Sequence, residues 1–331
     1  MARSARSFLG GARRRARGAL LAASGPAVAG SLERAARRSG SRAGVALVYH
    51  RVGEPPGDLS RELLPALGSR LFAEEVRYLS ARYQVVPASG LLEAASERRT
   101  GEPFPVAITF DDDLRSHVET AAPILSRAGA PATFFLTGAC LRGPHRFWWE
   151  RLQEACDRNL DLDHLGIGGP GADVHEVGRA IEALPARRID ELDAALGRLV
   201  GEDPEDAGLR ADDVAALAAD GFEIGFHTRR HYPLPGLTAA ELDAAIAEGF
   251  AELEAAAGGR LTTIAYPHGR ADGRVAAAAR AAGFGAGFTG APGPVTPESD
   301  RLLLCRVSPS YASVGELAVD VALAVRSAVT R

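Results

Sequence analysis

The stretch VAITFDDD, Val106 to Asp113, decides the fold: an apolar run that stops abruptly in three consecutive carboxylates. A run rich in Val, Ile and Phe reads as a buried strand. Three acids at its end repel one another unless something positive sits among them, and a metal ion meets that need. The plainer explanation is an acidic N-cap for the next helix, because Asp at a helix start satisfies free backbone N–H groups. One Asp is enough for that work, so the other two ask for a further reason.

Outward from this strand the chain alternates strand and helix patterns from Gly44 onward, which predicts a mainly parallel α/β fold. VALVYH at 45–50 reads as a strand, and Phe72, Val76 and Leu79 share one face of a helix over 72–83. Further strands are predicted at 84–87, 131–138, 222–228, 261–269, 284–288 and about 302–308, with helices at about 89–99, at 117–128 closed by Gly129, and from Val314 to the end. Between about 140 and 209 the rhythm breaks into mostly helical patterns with the Gly-rich loop GIGGPGAD, an insertion. Four apolar strands run out into special residues: His50, Asp111 to Asp113, His227 with His231, and the run Tyr266, Pro267, His268, Gly269. In parallel α/β folds the C-terminal strand ends share one face, and that face carries the active site. These groups are therefore expected to meet.

His227 and His231 have a spacing that brings two imidazoles to one ion, and Pro233 and Pro235 favour a strand-end turn over a long helix. A carboxylate and two His supply three ligands and leave a position for water, the pattern of catalytic zinc or a similar divalent ion.

The combination of TFDDD at 109–113, HTRRH at 227–231 and YPHG at 266–269 resembles the polysaccharide deacetylases of carbohydrate esterase family 4, over about residues 44–310. The resemblance implies an irregular (β/α) barrel with fewer than eight regular repeats. It implies Asp111 as general base, and Asp112, His227 and His231 as ligands of a divalent metal, most often Zn. Pro267 and Tyr266 would line the site, and the His268 N–H would face the oxyanion. The substrate would be an N-acetylated amino sugar, with acetate released.

Two departures stand out. Asp113 occupies a position where the family usually has Gly. The C-terminal L-x-H histidine, the usual general acid, is missing from LLLCRVSPS at 302–310. A branch resembling the poly-N-acetylglucosamine deacetylases takes its acid from an N-terminal strand, which makes His50 the candidate here. Arg306 is the candidate for the arginine that orients the base. Two other readings stay open: a deformylase or deacetylase of a small or lipid-linked amino sugar, and a catalytically silent carbohydrate-binding relative. Phe147, Trp148 and Trp149 open a helix of the insertion; they either stack on sugar rings or pack the insertion onto the barrel.

Composition bounds the rest. At 331 residues, 46% hydrophobic and 24% charged, the chain is an ordinary globular sequence. All 38 basic residues are Arg. Lysine chemistry is thereby excluded: no Schiff base and no P-loop. Residues 1–43 hold ten Arg and one Glu, net +9, leaving 28 Arg against 41 acids, net −13, for the rest. This basic arm reads as a secretory signal with an Ala27-Val28-Ala29 cleavage site, as an amphipathic arm on an anionic membrane surface or, third, as a disordered tail. A cell-envelope location is the first expectation and a cytoplasmic, membrane-peripheral one the second. With only the arm basic, nucleic acid is not an expected partner. Cys140, Cys156 and Cys305 are too widely spaced for a C-x-x-C site and read as packed thiols.

Overall fold

The computed structural model describes residues 24–38, 40–167 and 173–328. Arg13 to Arg17 and the centre of the GIGGPGAD loop lie outside the described residues. The strands are β1 (Val45–Tyr49), β2 (Val52–Gly53), β3 (Leu67–Gly68), β4 (Gln84–Val85), β5 (Pro105–Asp111), β6 (Thr133–Leu136), β7 (Glu223–Phe226), β8 (Thr263–Ala265), β9 (Ala286–Phe288) and β10 (Arg306–Val307). The main sheet runs β10-β1-β5-β6-β7-β8-β9, with β4 added against the start of β5. Every pairing in it is parallel.

The last strand is shorter than the 302–308 run suggests because the segment changes partner halfway. Leu304 bridges to Phe288 of β9, while two residues later Arg306 pairs with Ala46 of β1. This switch nearly closes the sheet into an irregular barrel, the predicted class of fold.

Strand side chains alternate between the two faces of the sheet. Val45, Leu47, Val106, Ile108, Phe134 and Phe226 face outward into the main hydrophobic core, which also takes in Phe72, Val76 and Leu79 of the helix Ser69–Arg82. The inward set is small, with Ala46, Ala107, Ala265 and Ala286 around Phe135 and Phe288. Gly225 belongs to this inner layer; a Cβ there would lie 2.4 Å from the Phe135 ring. The narrow interior therefore tolerates two aromatic rings only where its other walls are nearly bare.

The insertion has its own core. The helices Trp148–Asp157 and Ala186–Val200 pack through Leu152, Ile189, Leu192 and Leu196, and Val174–Glu182 adds Val177 and Ile181. Part of the basic segment is also docked: residues 24–38 form a helix whose Ala29 packs with Ala318 and Ala322 of the last helix, Val314–Ser327. Its buried Glu33 accepts from Tyr83, Tyr78 and Arg82. A boundary at residue 43 thus falls too late, because the helix 24–38 shares core with the body; Ala27 to Ala29 lie inside it. Among the described residues no helix is long and apolar enough to cross a membrane.

Candidate active site

The same alternation that sorts the core selects the site. In β5, Val106, Ile108 and Phe110 face the helices, so Asp111 falls on the inner face at the rim. By the same parity His50 follows β1 and His227 follows β7 on that face, and Arg306 enters it from β10. Residues far apart in sequence converge because their strands are parallel and end together.

Asp111 is gripped from both sides by Arg306. Nη1 donates to Oδ1 at 2.6 Å and Nη2 to Oδ2 at 2.7 Å, while Nε of the same guanidinium donates to the Thr289 carbonyl at 3.0 Å. Burial pushes the Asp111 carboxyl upward, but the charges of Arg306 and then His227 outweigh it and hold it down at about 2. Asp111 is therefore ionised and fixed in orientation.

Asp112 turns back from the strand with a left-handed φ of 72°. Its Oδ1 lies 3.6 Å from His227 Nε2 and 3.4 Å from His231 Nε2, and the two Nε2 atoms are 3.2 Å apart. Ligand atoms held at about 2.0–2.1 Å around a tetrahedral ion stand roughly 3.4 Å from one another. The three residues thus fit a divalent ion. The outer ring nitrogen agrees: His227 Nδ1 pairs with the Ala265 carbonyl at 2.8 Å, which leaves Nε2 free to ligate. Asp112 Oδ1 is buried with no hydrogen-bond donor, and burial, then Asp111, Glu150 and Asp113, push this carboxyl well above its usual range. A cation between these groups would relieve that cost.

Of the five non-glycine residues with positive φ among the described residues, four are Asp112, Thr228, His231 and His268. Backbone strain of this kind collects where function over-determines the conformation. The His pair sits in a short turn after β7, as Pro233 and Pro235 suggest.

Asp113 does something the sequence did not reveal. Its carboxylate accepts from Thr137 N at 2.7 Å, Thr137 Oγ at 2.8 Å, Cys140 N at 3.2 Å and Gly138 N at 3.4 Å. It fastens the exit of β6 to the exit of β5. Tyr266 requires a correction. The ladder parity continues one residue past β8, so its phenol turns outward into the helix layer and donates to the Leu302 carbonyl at 2.8 Å. It is fully buried there and does not line the site. Pro267 and His268 form the turn beyond it, and the His268 ring lies 4.6 Å from that of His231.

The aromatic run at the start of the insertion proves double in character. Phe147, Trp148 and Trp149 pack the insertion core, and Trp149 also lies 4.6 Å, ring to ring, from His231. The insertion reaches the site through three polar contacts as well: Glu150 with Arg51, Asp190 with Tyr232, and Glu182 with His268 and Arg270. None of these had a local signal in the sequence.

A parallel barrel that carries, at the C-terminal ends of its strands, an oriented carboxylate beside an Asp/His/His ligand set has the build of a hydrolase. The sequence profile described as Polysaccharide deacetylase matches residues 98–166 and 169–287. The chain belongs to that family. No curated protein matches it. Among solved structures, the Streptococcus pyogenes deacetylase PplD in complex with acetate is similar over 84% of this chain and 98% of its own, at 16% identity and a TM-score of 0.54. IcaB from Ammonifex degensii is similar over 84% of this chain and 97% of its own, at 19% identity and 0.56. The BpsB deacetylase domain from Bordetella bronchiseptica covers 81% and 96%, at 16% and 0.51. At such identities these likenesses speak for the fold.

Proposed function

We propose that this protein is a metal-dependent N-deacetylase that releases acetate from an N-acetylated amino sugar of a polysaccharide or oligosaccharide. The observation that carries the reading is Asp111, ionised and held by Arg306, directly beside the Asp112, His227 and His231 cluster. When bound, a divalent ion, most fittingly zinc, would lower the pKa of a water and polarise the acetamide carbonyl. Asp111 takes the proton from the attacking water. The His268 N–H is assigned to the oxyanion. His50 passes a proton to the departing amine. Burial lowers His50 to about 4, with the Asp111 charge opposing, so it is neutral at neutral pH and must first receive the proton that Asp111 takes from the water.

A second reading is favoured by one observation: Asp112, His227 and His231 are at most 8% exposed, and the insertion packs over them through Trp149. A covered site suits a small, lipid-linked or chain-terminal amino sugar. We further propose a cell-envelope location with contact to anionic lipid, supported by the arginines of residues 1–23. The experiment is acetate release from N-acetylglucosamine oligomers of increasing length, with and without chelator. Chelator-sensitive release supports the deacetylase, the length dependence separates polymer from small substrate, and release that ignores the chelator would exclude the metal assignment.

A further inference from the structure

The carboxylate of Glu182 reaches the site from the insertion, at the last residue of the helix Val174–Glu182. Its Oε2 accepts from Arg270 at 3.0 Å, and its Oε1 lies 3.4 Å from Nδ1 of His268. His268 is held at a left-handed φ of 55° in the turn after β8, edge-on to the ring of His231. It is outside the ligand set of Asp112, His227 and His231.

A carboxylate beside one imidazole nitrogen holds the proton on that nitrogen and leaves the other as an acceptor. We propose that Glu182 is a positioning residue: it fixes His268 with Nδ1 protonated, so that Nε2 accepts a hydrogen bond from a hydroxyl flanking the substrate's acetamide. The insertion is then part of substrate recognition, and the tie to Arg270 keeps the Glu182 carboxylate in place. This inference rests on the amino-sugar deacetylase reading above.

The test uses the zinc-loaded full chain as wild type, Glu182→Ala, Glu182→Asp, His268→Ala and the Glu182→Ala/His268→Ala double variant, assayed on an N-acetylglucosamine trimer. Glu182→Ala is expected to raise KM about tenfold with kcat nearly unchanged, and Glu182→Asp to recover most of that loss. The double variant is expected to be no worse than His268→Ala, because both substitutions remove one contact. Nitrogen-15 histidine spectra, with His268 assigned by difference, are expected to show the Nδ1–H tautomer in wild type and a mixture in Glu182→Ala. Glu182→Met, of similar volume, replaces the alanine variant should that fail to fold. A wild-type KM in the Glu182 variant, an unmoved tautomer, or additive losses in the double variant would each overturn the inference. Wild-type enzyme that releases acetate from no N-acetylated sugar would instead sink the deacetylase reading, with the spectra still deciding the Glu182–His268 pairing.

Discussion

Asp111, Asp112 and Asp113 are adjacent in sequence and have three different surroundings. The first is neutralised by a guanidinium, the second faces two imidazoles and lacks a donor on Oδ1, and the third is saturated by donors of the β6 exit. Asp111→Asn keeps the shape and removes the basicity, so turnover should fall about 10²- to 10⁴-fold. Zinc content, read by elemental analysis, should stay near wild type; a variant with full turnover would move the base elsewhere. Asp113→Ala strands buried N–H groups, each costing roughly 1–3 kcal/mol. Urea unfolding should register a loss of about 3 kcal/mol or more.

At the level of strands and helices, the period-two pattern was readable and did most to assemble the site: one parity placed His50, Asp111 and His227 on a common rim. It also explains the misplaced residue, because the parity that turns Asp111 inward turns Tyr266 outward. The insertion's contacts were not legible for a physical reason. Arg270 meets Glu182 across 88 residues and Arg51 meets Glu150 across 99, so no periodic pattern marks them. The helix Ser69–Arg82 carries its own hidden feature, a buried Glu75 that accepts from Tyr49 at 3.0 Å. Burial raises Glu75 to about 8 against an ordinary 4.5, the Tyr49 hydrogen bond only partly opposing. Between those values the folded state binds the extra proton, so stability is fullest below the unfolded value and falls as pH rises toward 8, by up to about 1.4 kcal/mol per pH unit. Glu75→Gln should flatten that slope in thermal melts from pH 5 to 8; an unchanged slope would assign it to another group.

For the molecule as a whole, an ion at the Asp112, His227 and His231 cluster would couple metal binding to folding. An ion that binds only the native state stabilises it by about 4 kcal/mol at a free concentration 1,000 times its Kd. Thermal melts should therefore show a lower Tm in chelator, recovery on adding zinc, and no zinc response in Asp112→Ala; a zinc-dependent rise in that variant would contradict the ligand set. The parallel α/β class was legible because strand and helix patterns alternate along most of the chain. The docking of residues 24–38 was not, since a helix rich in Ala and Arg looks the same whether it packs on a neighbour or stands in water. The grip of Arg306 on Asp111 spans 195 residues and crosses the seam where β10 closes the sheet. A chain emerging from the ribosome therefore carries Asp111, Asp112, His227 and His231 well before it carries the arginine that grips Asp111. On the proposed mechanism, activity would wait until the C-terminal strand is seated, and a truncated or half-made product would hold Asp111 without its alignment.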